Sequence, residues 1–124
     1  MLLISEMIQK KEFDPLREYF QLEDILTAAK KAKRGLGIIL RGSPSPRSRL
    51  IKMYLTGRSA PGRLIFFFTT EEGDYIPVLL RLKNDSVGAN MSFKNPSFQA
   101  ALIKNIISAQ KDIQAKRYRK IEIN

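Results

Sequence analysis

Apolar positions follow a helical period at both ends of the chain and a strand period in its middle. Leu2, Leu3 and Ile4 open as a short apolar run that reads as a strand. Asp14-Pro15 then marks a helix start, with Asp as cap and Pro in the first turn, where its missing N–H costs nothing. Leu16, Tyr19, Phe20, Ile25, Leu26 and Ala29 recur at helical spacing, as one helix or as two short ones broken near Gln21. Lys30, Lys31, Lys33 and Arg34 followed by Gly35 predict the end of that helix, basic last-turn residues before a C-cap glycine.

Gly42-Ser-Pro-Ser-Pro-Arg-Ser reads as a loop, because two prolines and small polar residues cannot continue a helix. Three strand-like runs follow, near 49–56, 63–70 and 75–83. Turns at Ser59-Ala-Pro-Gly62 and Glu71-Glu-Gly-Asp74 are short enough to allow only hairpins, so the three runs are expected to pair consecutively as an antiparallel meander. Pro77 lacks a ladder donor and predicts an edge or a bulge near the start of the third run. Phe66-Phe-Phe68 reads as core. Asn95-Pro96 starts a last helix, on which Phe98, Leu102, Ile106, Ala109 and Ile113 form one apolar face. The basic tail, 115–124, is expected to be flexible.

Composition narrows the chemistry. A length of 124 residues fits a single domain, 1–124, with enough apolar residues for a core. There is no Cys and no His, which excludes disulfides, thiolate or imidazole metal sites and a Ser-His-Asp triad; no cofactor and no metal are expected. No apolar run approaches the ~18 residues of a membrane helix. Glu6 in the first residues does not suit a secretory signal, so a cytoplasmic protein with no membrane contact is expected.

Charge changes the picture more. The net charge is +10, and all of the excess lies in one third of the chain. Between Ile25 and Thr70 there is no acid but ten bases: Lys30, Lys31, Lys33, Arg34, Arg41, Arg47, Arg49, Lys52, Arg58 and Arg63. Outside that stretch, twelve bases face twelve acids. A positive field this concentrated attracts polyanions, either a nucleic acid or an acidic protein segment.

Helices first, then a three-stranded meander with short turns, then a closing helix: from about Phe13 to Ile113 this order resembles the RelE/ParE toxin superfamily of type II toxin–antitoxin systems. Three segments carry the resemblance. Leu50-Ile-Lys-Met-Tyr-Leu-Thr-Gly57 is similar to the family's basic K-x-L-x-G strand. Gly62-Arg-Leu-Ile-Phe-Phe-Phe68 is similar to its Arg-led apolar strand, and Ile76-Pro-Val-Leu-Leu-Arg-Leu-Lys83 to the strand that ends in Lys or Arg. The resemblance implies an α+β fold with N-terminal helix or helices packed on a twisted antiparallel sheet, plus a C-terminal helix. It implies an acidic antitoxin as partner. It also implies one of two activities: RelE-like cutting of mRNA in the ribosome, a metal-independent endoribonuclease that inhibits translation, or ParE-like inhibition of DNA gyrase. A non-catalytic, basic nucleic-acid-binding accessory protein is the reading outside the family. Several members also place a Tyr or His near the end of the sheet; Lys83 to Asn90 contains neither.

Candidate site residues follow from strand alternation. Leu50, Lys52 and Tyr54 share one face of their strand, and Ile51, Met53 and Leu55 form the core face. Arg81 and Lys83 also share a face, where they repel each other unless an anion or an acidic partner lies between. Lys52, Arg63, Arg81 and Lys83 are therefore the catalytic candidates. Arg63 would grip the scissile phosphate with its planar fork, and Lys52 or Lys83 would move the proton. Arg47, Arg49, Tyr54 and Arg58 are the expected nucleic-acid contacts.

Overall fold

A computed structural model describes every residue except Ser43, Pro44 and Ser59. Strand β1 (Leu2–Ser5) runs into α1 (Glu6–Ile8), which continues through a π turn (Gln9–Phe13) and a 3-10 turn (Asp14–Leu16). Helix α2 (Leu22–Lys33) and the short strand β2 (Ile38–Leu40) follow. The meander is β3 (Ser48–Thr56), β4 (Pro61–Thr69) and β5 (Asp74–Leu82), and the chain closes with α3 (Pro96–Gln114) and β6 (Tyr118–Ile121). The class is α+β, with one mixed sheet in the order β2-β3-β4-β5-β1-β6.

The meander forms where alternation predicts it, and β3, β4 and β5 pair consecutively and antiparallel. The sheet as a whole is not antiparallel. β1 lies parallel to β5, with Leu2 opposite Tyr75, and antiparallel to β6. Pro77 does mark a bulge. Phe66 faces Pro77 and Ile65 faces Leu79, so Val78 is the extra residue. Its carbonyl accepts from the Asn105 side chain of α3 at 2.8 Å. Of the expected turn Ser59 to Gly62, Ser59 lies outside the described residues, as do Ser43 and Pro44 of the Gly42 loop.

The two helices cover opposite faces. Ile25, Ala28, Ala29 and Ala32 of α2 are buried at helical spacing, and Ile25 borders Leu80 on the face that also carries Ile51 and Met53. On α3, Phe98, Leu102, Ile106 and Ala109 are buried, and Leu102 and Ile106 border Phe67 on the other face. Phe66 has no exposed surface and Phe67 almost none, as the core reading expects, while Phe68 is half-buried. Phe20 packs on β4 where Gly62 leaves room for it; a Cβ there would collide with the ring.

Two local expectations change. Asp14-Pro15 starts only the 3-10 turn, and α2 begins afresh after Gln21, whose N–H donates to the Asp24 carboxylate at 2.7 Å. The C-terminal end of α2 is as expected: Gly35 takes φ +84°, and the N–H groups of Gly35 and Leu36 return to the carbonyls of Ala32 and Lys31. The tail differs from the flexible segment expected for 115–124. Residues Tyr118–Ile121 form β6 beside β1, and Ile123 is buried in the core. The reversal that brings them back is a second cap of the same form, with the N–H groups of Lys116 and Arg117 on the carbonyls of Ile113 and Asp112. Its left-handed residue is Lys116, at φ +60°.

Candidate nucleic-acid interface

Strand register assembles the candidate site. On β3, Lys52 and Tyr54 point to the face that α3 covers further along. On β4, Arg63 stands opposite Tyr54; on β5, Arg81 stands opposite Arg63. Tyr54, Arg63 and Arg81 thus form one row across three strands. Lys52 lies two residues along, opposite Ile65.

The two ends of this row differ. Tyr54 is 55 % exposed, and the Arg63 guanidinium lies over its ring, 4.2 Å from the centroid. The Lys52 ammonium is 5.5 Å from the same ring. Arg63 Nη1 donates to the carbonyl of Gly62 at 2.8 Å. Among the described residues no carboxylate pairs with Lys52 or Arg63. The aromatic ring draws the cations by its quadrupole without neutralising them.

Arg81 is enclosed instead. Its Nε donates to Glu12 Oε1 at 3.0 Å, its Nη2 to Glu12 Oε2 at 3.2 Å, and its Nη1 to Asp85 at 3.4 Å. Glu12 is 3 % exposed and also accepts the Leu80 N–H at 2.9 Å, so it satisfies β5 where β1 no longer runs alongside. Burial on its own would lower the Arg81 pKa; the hydrogen bonds and charges of Glu12 and Asp85 outweigh it and hold the group above its usual range. Burial likewise tends to raise Asp85, but the N–H groups of Val87 and Gly88, together with Arg81, hold it below the usual carboxylate value. Glu12 and Asp85 thus give Arg81 acidic partners.

The remaining candidates scatter. Lys83 follows β5, is exposed, and donates its N–H to the Pro61 carbonyl at 3.0 Å. Arg47 pairs with Glu71 at 3.1 Å. Arg49 is exposed and one residue out of step with Lys52, hence on the opposite face. Arg58 sits beyond the far end of β3, exposed, with its N–H on the Tyr19 carbonyl at 3.2 Å. The structure brings together Lys52, Tyr54, Arg63 and Arg81 and leaves Arg47 and Arg49 towards the other end of β3, roughly 10–23 Å away along the strand.

Three residues near the row escaped the sequence reading. Asp85 carries a readable signal, an Asp whose side chain caps the N–H groups two and three residues on. Glu12 has none, because its partners lie 68 and 69 residues away. Lys11 donates to the buried Asn105 at 2.9 Å, and burial followed by the charge of Lys104 lowers its pKa.

Chemically, the open end of the row offers an accessible ring and two cations with no carboxylate partner among the described residues, suited to a base and a phosphate of a single strand. Among the described residues no group of acidic side chains is arranged to hold a metal, and no helix is long and apolar enough to cross a membrane. Comparison of the chain with protein-family models, with curated proteins and with solved structures finds no match.

Proposed function

We propose that this protein acts on RNA as a toxin of the RelE type, engaging the strand through Lys52, Tyr54 and Arg63. The observation that carries the proposal is the exposed Tyr54 ring held beside two cations that no carboxylate among the described residues neutralises. Stacking of a base on the ring and contact of its phosphate with Arg63 would use all three groups. The order of elements around the meander and the resemblance of the three strand segments support the toxin class. An acidic antitoxin is the partner that follows from it. In cleavage the 2′-oxygen would attack the adjacent phosphorus and the 5′-oxygen would leave, with Arg63 on the phosphate oxygens and Lys52 moving the proton.

The pairing of Arg81 with Glu12 and Asp85 favours a second reading, binding without cleavage. Arg81 then holds β5 to the π turn that follows α1 and takes no part in chemistry, and the protein is a nucleic-acid-binding accessory factor or a gyrase inhibitor.

Expression of the protein without a partner, followed by mapping of mRNA ends on translating ribosomes, tests both. The toxin reading expects growth arrest and new 5′ ends, with Arg63→Ala and Lys52→Ala each lowering cleavage by about 10²–10³. Growth arrest without new ends, unchanged in both variants, would overturn it in favour of gyrase. RNA binding without arrest would favour the accessory factor.

A further inference from the structure

Helix α3 stands off the sheet along part of its length. Leu102 and Ile106 turn inward, while Ile103 and Ile107, one helical row round, stay 53 % and 48 % exposed. Between this stretch of helix and Phe67 of β4 lies a hollow of about 360 Å³. That volume falls in the range of small-molecule sites, about 300–1,000 Å³. Its walls are largely apolar: among the described residues, Ser45 and Gln110 are the only lining side chains that can hydrogen-bond. At Gly42 and Phe93 it meets a second hollow, of about 440 Å³, bordered by Leu40 and Met91. There the described lining carries two cations, Arg41 and Lys94, and no acid. Both cations are exposed, and neither belongs to an ion pair among the described residues. The other end of the trough, past Gln110, is bordered by Glu72 and Asp74.

We propose that this trough binds a free, single-chain anionic amphiphile, a straight-chain carboxylate of the fatty-acid class, with its chain along Phe67 and Phe93 and its head between Arg41 and Lys94. The walls select the ligand. An aliphatic chain asks for no hydrogen bonds, and the hollow beside α3 offers few. A nucleotide or a sugar would leave its donors and acceptors unpaired there. The carboxylate is the one polar end of such a chain, and the two cations supply charge-assisted contacts for it at one end of the trough only. Glu72 and Asp74 at the other end repel a carboxylate, which fixes the direction of the chain. A bilayer surface fits less well. It is flat and would reach Ile103 and Ile107, but Phe67, which also lines the hollow, is only 4 % exposed. A single chain free of the membrane can reach it. The trough is separate from the row of Tyr54 and Arg63, since Phe67 lies about 13 Å along β4 from Arg63. The inference therefore goes beyond the RNA reading and does not depend on it.

The test is calorimetric titration of the full chain with octanoate, decanoate and dodecanoate, each below its micelle concentration. One molecule should bind per chain, and each added pair of methylenes should tighten binding about tenfold. Decanol, with the same chain and no charge, should bind about tenfold more weakly than decanoate. Arg41→Gln combined with Lys94→Gln should bring decanoate down to the level of decanol and leave decanol as it was. Ile107→Glu, at an exposed position, should abolish binding of both. Decanoate should also shift the methyl resonances of Ile103, Ile106 and Ile107. Affinity that ignores chain length, equal affinity for decanol and decanoate, several molecules per chain, or binding that survives Ile107→Glu would overturn the proposal. Adsorption to anionic phospholipid vesicles by a protein that binds no free decanoate would overturn it in favour of a membrane surface. A dimer that buries Ile103 and Ile107 and shuts decanoate out would overturn it in favour of a second copy.

Discussion

Arg63 and Arg81 stand opposite each other on neighbouring strands, share a face, and have contrary surroundings. Arg81 is held by the buried carboxylate of Glu12 and by Asp85, and through Glu12 it fastens the α1 segment to the open flank of β5. Arg63 has a tyrosine ring and its own strand's carbonyl. The same residue type at paired positions is therefore a structural fastener in one case and an available cation in the other. Register decides which side chains are neighbours; a carboxylate from a distant segment decides what each is free to do.

The largest expected effect breaks the fastened side. Glu12→Ala removes the partner of Arg81 and leaves the Leu80 N–H unpaired, which should cost about 3–5 kcal/mol. Urea denaturation should show that loss, whereas Arg63→Ala should stay within about 0.5 kcal/mol of the parent. Equal costs for the two would remove the contrast. Next in size is Tyr54→Ala. Loss of a stacked base should weaken single-stranded RNA binding by about 1–3 kcal/mol in an anisotropy titration, while stability hardly changes.

The acid limb of stability separates the two sides again. Asp85 and Asp112 both have pKa values held below the usual carboxylate value. Burial tends to raise Asp112, but donation from Ser5, the Met7 N–H and Arg117 outweighs it. A carboxyl with a depressed folded pKa contributes stability that is fully present above its unfolded pKa, near 4, and is lost as pH falls through the folded value. Denaturation midpoints should therefore fall as pH drops below about 4. Asp85→Asn or Asp112→Asn should flatten that slope, and Arg63→Ala should leave it as it was. The smallest effect lies outside the site. Lys116→Gly relieves a left-handed lysine and should raise stability by about 0.5–1 kcal/mol, read as a small upward shift in Tm.

The meander was legible because β3 to β5 are long, alternate cleanly and are joined by short turns. The start of α3 at Asn95-Pro96 was legible for a similar reason, a strong cap ahead of an apolar period. β6 was not, because the turn before it uses Lys116 where a glycine would have marked the reversal, and its own residues Tyr118, Arg119 and Lys120 read as a basic tail. β2 was hidden by its length of three residues. The break near Gln21 was legible as one of two alternatives, but Asp14-Pro15, a good helix opening, heads only a 3-10 turn. At the site, alternation along the strands put Lys52 and Tyr54 on the same face, and hairpin pairing brought Arg63 and Arg81 beside them. The Glu12 contact could not be read, since nothing in 6–16 signals a carboxylate aimed at a strand nearly seventy residues away.

The central claim is that Arg63, and not Arg81, meets the phosphate of a single strand. The salt dependence of single-stranded RNA affinity tests it most directly, measured for the parent, Arg63→Ala and Arg81→Lys, the last of which keeps a cation against Glu12. Each phosphate contact contributes about 0.7 to the slope of log K against log salt. Arg63→Ala should lower the slope by about that amount and weaken binding about tenfold at low salt, while Arg81→Lys matches the parent in both. An unchanged slope in Arg63→Ala, or a loss in Arg81→Lys equal to it, would contradict the account.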